Sequence, residues 1–186
     1  MPDLIRTFIA VKIEPEPDLL QLIKHFRKTL ENEKIKWANE NNLHLTLKFL
    51  GDTSPVQVER VKSILEETAD NFSSFRFDLK GVGFFKRNRQ PRVLFVNIEK
   101  NIILKQLAAE IDAKLSELGF EKEKREFNPH LTLGRIKFLK NKKAFYQAVE
   151  KHQETFFQTA SINEIIFYRS ILKPEGPEYM PLKIIK

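Results

Sequence analysis

The sequence predicts an α+β fold built on antiparallel sheets. Segments with helical spacing are intermixed with alternating segments that fall in pairs, and no glycine-rich strand–turn–helix fingerprint of a parallel βαβ unit is present. The tetrapeptide His-Leu-Thr-Leu also occurs twice, at 44–47 and 130–133, which divides the chain into comparable halves. At 186 residues the chain is sized for one domain, expected to span 1–186 as two lobes sharing a core.

Taken in order, residues 4–13 are rich in β-branched and aromatic residues and read as a strand, which Pro15 and Pro17 end. Leu19, Leu22, Ile23, Phe26 and Leu30 recur at helical spacing, so 18–32 reads as an amphipathic helix. The run 43–50 alternates with period two and stops at Gly51-Asp52. Ser54-Pro55 is an N-cap and first-turn pair that opens a helix to about residue 70. Strands are expected at 73–80 and 92–98, with a basic loop over 84–91 between them. A helix over 102–118 ends at Gly119, a good C′ residue. A strand over 127–138 carries the second motif, and a helix follows at about 141–151. Strands at 162–172 and 179–185 flank a turn built from Pro174-Glu175-Gly176-Pro177.

Composition narrows the chemistry. Hydrophobic residues make up 41% and include 16 Phe, enough apolar mass for a core. There is no cysteine, which excludes disulfides, thiolate nucleophiles and Cys-based zinc sites and fits a cytoplasmic location. The first residues carry charges where a signal peptide needs an apolar run, and no stretch approaches the ~18 apolar residues of a membrane span. The net charge of +7 favours polyanionic partners such as RNA, although many lysines alternate with glutamates, as in 121–124.

The repeated tetrapeptide carries the strongest signal. Composition alone predicts about 0.002 copies, so two point to an internal duplication in which each half supplies one copy to a shared site. On a strand, His44 and Thr46 face one way while Leu43, Leu45 and Leu47 face the core; His130 and Thr132 repeat the arrangement against Leu131 and Leu133. Two imidazoles converging on one cleft suit phosphodiester chemistry, one removing a proton from water and the other protonating a departing ribose oxygen. Threonine hydroxyls can donate to the non-bridging phosphate oxygens. A metal reading is poor, because neither copy lies beside a His-Glu-x-x-His motif or an acidic cluster.

These residues resemble the two-histidine (2H) phosphoesterases, in particular the RNA 2′,3′-cyclic phosphodiesterases formerly called 2′-5′ RNA ligases. The resemblance extends from both motifs to Lys48-Phe49-Leu50-Gly51, Asn128-Pro129, Gly81-Val82-Gly83-Phe84-Phe85, Pro91-Arg92-Val93-Leu94-Phe95 and the tail around Tyr168-Arg169-Ser170 and Pro177-Glu178-Tyr179. It implies a bilobal fold with pseudo-twofold halves, sheets facing a central cleft and helices outside. It implies hydrolysis of RNA 2′,3′-cyclic phosphate ends to 2′-phosphomonoesters, with reversible 2′-5′ RNA ligation at the same site as a side activity and no cofactor or metal required. By resemblance His44 is the proton donor, His130 the proton acceptor, and Thr46 and Thr132 the phosphate-holding residues; a near-symmetric site does not itself reveal which histidine is which. A monomer is the default expectation.

Arg135 matches a position where the family carries a basic residue. Strict alternation puts it on the face opposite His130, so it joins the site only if the strand bends or bulges near Gly134, and is otherwise a surface charge. Phe49 is expected in the core by the same alternation, the other reading being a base-stacking platform. Arg87, Arg89 and Arg92 either steer an RNA backbone or are merely solvated. His25 and His152 lack any motif and are expected to be structural or surface residues. Rival readings are a phosphodiesterase acting on another cyclic or 2′-5′-linked nucleotide, a non-catalytic RNA-binding module, and a basic globular protein with a decorative repeat.

Overall fold

The computed structural model describes residues 3–69, 73–99, 101–174 and 176–186. Its elements run β1 (Ile5–Lys12), α1 (Pro17–Thr29), β2 (Lys34–Trp37), a 3-10 turn (Glu40–Asn42), β3 (His44–Thr53), α2 (Pro55–Ala69), β4 (Phe75–Arg87) and β5 (Gln90–Ile98). There follow α3 (Ile102–Glu117), β6 (His130–Phe138), α4 (Lys142–Lys151), β7 (Phe156–Ile162), β8 (Ile165–Lys173) and β9 (Gly176–Ile185). The ends are chemically marked. Ser54 and Gln57 form a reciprocal capping box at α2, Asn101 caps α3 by accepting from the Leu104 amide, and Gly119 takes φ +87° just beyond α3.

Two antiparallel sheets result, ordered β3-β1-β8-β9 and β2-β6-β5-β4-β7. Without β2, the second order matches the first strand for strand, β6 standing for β3 and β5 for β1. The lobes interleave: α1 follows the first strand of one sheet but packs against β7 and α4 of the other, while α2 and α3 cover the first sheet. One apolar cluster runs through both lobes, from Ile9 and Leu45 to Leu94, Leu131 and Phe145. β3 and β6 come together where the sheets meet, without pairing by hydrogen bonds.

Both motif strands contain the same irregularity. Ile9 pairs with Lys48 and Ala10 with Thr46, leaving Leu47 as an extra residue; Leu94 pairs with Gly134 and Phe95 with Thr132, leaving Leu133 extra. These are β-bulges, each three residues beyond the histidine, and each reverses the inward–outward alternation that follows it. Burial over His44–Phe49 and over His130–Arg135 is accordingly the same, residue by residue.

The residues after the bulge are stabilised differently in the two copies. In β6 that place belongs to Gly134, where a Cβ would lie 2.9 Å from Ile35 Cγ2 and 3.1 Å from the Trp37 ring, so glycine lets β2 pack close. In β3 it belongs to Lys48, only 7% exposed, whose ammonium pairs with Asp112 and donates to the Glu121 carbonyl at 2.6 Å. Burial pushes the Asp112 carboxyl up, but Lys48 and the Glu123 amide hold it below the usual carboxylate range. The pair thereby ties the α3–β6 connection to the bulge in β3.

Three sequence expectations are corrected. The basic loop over 84–91 is strand almost throughout: β4 and β5 meet in a two-residue hairpin turn, with Asn88 and Arg89 left-handed at φ 52° and 61°. β2 and most of β7 were not anticipated, one being four residues long and the other lacking clean alternation. In the expected 174–177 turn, Glu175 lies outside the described residues, and β9 already begins at Gly176. Lys48→Met is predicted to lower unfolding stability by about 3 kcal/mol, because it leaves the largely buried Asp112 carboxylate without its cation and with only the Glu123 amide as partner. The check is chemical denaturation, read as a lower midpoint at unchanged slope, with Lys48→Met/Asp112→Leu recovering most of the loss.

Candidate active site

His44 and Thr46 project from one face of β3, and His130 and Thr132 from the matching face of β6, while Leu43, Leu45, Leu47, Leu131 and Leu133 are buried behind them. Each histidine is fixed in the same way. The His44 Nδ1 lies 2.7 Å from the Asn42 carbonyl and the His130 Nδ1 lies 2.8 Å from the Asn128 carbonyl, two residues back in both cases. A carbonyl can only accept, so in both rings Nδ1 carries the proton and donates it. In the neutral rings each Nε2 is therefore a bare lone pair, available as base and, once protonated, as acid.

Aromatic rings clamp the imidazoles. Phe8 and Tyr179 lie 5.1 and 5.0 Å from the His44 ring, and Phe85 and Phe95 lie 4.8 and 5.3 Å from the His130 ring. This packing leaves a mark on acidity. Burial lowers the pKa of His44, the Asn42 carbonyl partly opposes that, and the charges of Arg135 and His130 lower it further. Burial likewise lowers His130, against its own carbonyl partner and with the help of Arg135. A cavity of about 300 Å³ adjoins His44, bounded by Asn42, Ile166, Tyr168, Tyr179 and Pro181. Burial pushes the Tyr168 phenol up to about 12, so it stays neutral at any working pH.

The bulges decide where the next side chains go. Arg135, which strict alternation turns away, is returned to the histidine face, where its charge reaches both imidazoles and Tyr179. Phe49, its counterpart in β3, is likewise turned out. The expectation that it fills the core is wrong: the ring is 60% exposed and lies 6.0 Å from Phe8. Arg87 and Arg89 are exposed at the hairpin end, whereas Arg92 is engaged, its Nη1 donating to the Lys137 carbonyl at 2.8 Å. His25 and His152 do come together, with ring centroids 5.4 Å apart, but on the helical side between α1 and α4. Among the described residues, no three His, Asp or Glu side chains gather as a set of metal ligands.

Residues 14–172 match the sequence family described as the 2′-5′ RNA ligase superfamily. The chain belongs to that superfamily. A protein of Methanocaldococcus jannaschii named RNA 2′,3′-cyclic phosphodiesterase is 37% identical over 179 residues, which cover 96% of this chain and 99% of the relative. A Thermotoga maritima protein of the same name is 33% identical over 180 residues, covering 96% and 93% of the two chains. Among solved structures, E. coli LigT complexed with 3′-AMP superposes with a TM-score of 0.73 at 25% identity, covering 98% of this chain and 97% of that one.

Within this superfamily member, sequence reasoning missed the aromatic clamp. Phe8 was visible only as strand hydrophobicity, and Tyr179 lies 135 residues from the histidine it touches. The signal available for Phe8 was its period-two position beside Arg6 and Lys12, which places an aromatic ring on a face otherwise polar at both ends. An NMR pH titration is predicted to place both imidazoles below the usual histidine value. Arg135→Met should raise both, since removing a neighbouring cation favours imidazolium. The unfolded chain takes up protons first, so these two groups reduce stability as pH falls from about 6.5 through their folded values.

Proposed function

We propose that the chain hydrolyses 2′,3′-cyclic phosphate ends of RNA to 2′-phosphomonoesters, with His44 as general acid and His130 as general base. The observation that carries this reading is the matched presentation of the two imidazoles: Nδ1–H held by the carbonyl two residues back, and Nε2 left free, on two strands bulged at the same place. The names carried by the M. jannaschii and T. maritima relatives support the substrate class.

The reaction needs a proton taken from water as it attacks phosphorus and a proton given to the departing 3′ oxygen. Neutral His130 accepts the first through Nε2, and protonated His44 supplies the second. In the free protein both pKa values are lowered, partly by Arg135. An anionic cyclic phosphate offsets that cation and restores the proton on His44 as the substrate binds. Thr46 and Thr132 donate to the two non-bridging oxygens, and the Arg135 guanidinium balances the charge that grows there. Attack and departure lie on opposite sides of phosphorus, which fits an acid and a base coming from separate lobes. With the 5′-hydroxyl of a second RNA in place of water as the attacking group, the same groups in the same roles join two RNA ends through a 2′-5′ bond as the 3′ oxygen departs.

A short RNA ending in a 2′,3′-cyclic phosphate, incubated in EDTA, is predicted to give a 2′-phosphate identified by NMR. His44→Ala and His130→Ala should each lower kcat by about 10²–10⁴ while leaving RNA affinity nearly unchanged. Equal loss of affinity and turnover would point to a binding module instead, and a 3′-phosphate product would reverse the assignment of the leaving oxygen.

A further inference from the structure

β2 is the one strand among the described residues with no counterpart in the duplicated order, and it lies along the outer edge of β6. It alternates cleanly. Ile35 and Trp37 pack against the core over Gly134, while Lys34 and Lys36 are exposed on the opposite face. Lys36 pairs with Arg135, which places it on the face that carries the histidines. A second irregularity in β6 leaves Lys137 as an extra residue and pairs Lys34 with Phe138. The Arg92 guanidinium holds this stretch by donating to the Lys137 and Ile136 carbonyls.

The result is a row of cations leading away from Arg135, with an aromatic ring at its far end. Strand geometry puts Lys137 about 7 Å beyond Arg135 and Lys36 about 5 Å across from it. Phe138 is 60% exposed. Among the described residues, none of Lys34, Lys36 and Lys137 is ion-paired. The two acids nearest β2 are engaged elsewhere: Glu33 accepts from the Lys140 and Asn141 amides, and Glu40 pairs with Arg27. Unpaired cations spaced along an edge, followed by an open aromatic face, form the arrangement that binds single-stranded nucleic acid through phosphates and base stacking.

We infer that β2 is a platform for the RNA chain: Lys34, Lys36 and Lys137 hold phosphates upstream of the reacting end, Phe138 stacks on a base, and the preferred substrate is single-stranded RNA rather than a cyclic mononucleotide. This rests on the RNA reading above. It also accounts for how a near-symmetric site acquires a direction, since only one lobe carries the platform.

The test measures binding and turnover separately. Binding uses a labelled RNA ending in a 2′-phosphate, which cannot turn over, titrated at several salt concentrations; turnover uses a cyclic mononucleotide. Lys34→Gln/Lys36→Gln/Lys137→Gln is expected to weaken RNA binding about tenfold or more and to reduce the salt slope by about 2, three contacts at roughly 0.7 each. Phe138→Ala should weaken binding about five- to hundredfold with the slope unchanged. Mononucleotide turnover should stay within about twofold of wild type, and a control triple of Lys24→Gln/Lys28→Gln/Lys143→Gln on α1 and α4 should retain RNA affinity. Unchanged RNA affinity in the β2 triple variant, or equal loss in the control, overturns the platform whatever the turnover shows. If the wild-type protein hydrolyses no cyclic phosphate while the triple variant still loses affinity selectively, the platform stands and the catalytic reading falls.

Discussion

A single extra residue, inserted at the same place in two strands, sets the geometry of everything around the cleft. In β3 and in β6 the chain alternates through histidine, leucine and threonine and then buries two consecutive residues. Without the bulge, the residue five places after each histidine would point into the core. With it, that side chain joins the histidine and threonine on one face, so three side chains of each strand share a surface while the leucines between them fill the core behind. The carbonyl two residues before each histidine then completes the device by taking the Nδ1 proton.

The duplicated frame diverges where the bulge leaves choice. Behind it, one copy uses a buried lysine to secure a connecting loop and the other uses glycine to admit an additional strand. In front of it, one copy presents Phe49 and the other Arg135. That one arginine disfavours imidazolium on both sides of the cleft, making protonation responsive to the charge of whatever occupies it. Two histidines in matched surroundings can thus serve opposite roles once an anion and a chain direction are supplied.

Much of this was legible in the sequence because it rests on local alternation. Period two placed His44, Thr46, His130 and Thr132 on a common face and their leucines in the core, and the caps at Ser54 and Gly119 lie where the residue types put them. The bulges were only half legible. A bulge is a property of register with a neighbouring strand; Gly134 marked one as an open alternative in β6, but nothing in Leu47-Lys48 announces the matching one in β3. Phe49 was misplaced for that reason, and Arg135 could only be left open. The hairpin at Asn88-Arg89 was hidden because its left-handed residues are not glycine, and β2 because four residues give a weak period. The aromatic clamp depends on pairing between distant strands, which one sequence does not display.

The central claim is that the two lobes place an acid and a base on opposite sides of one phosphorus, with no covalent intermediate. Its most direct test is stereochemical: hydrolysis of a single diastereomer of a 2′,3′-cyclic phosphorothioate in ¹⁸O-labelled water, followed by assignment of configuration in the product. In-line attack by water between His130 and His44 predicts inversion at phosphorus. Retention would mean two successive displacements through an enzyme-bound intermediate, and would contradict the account.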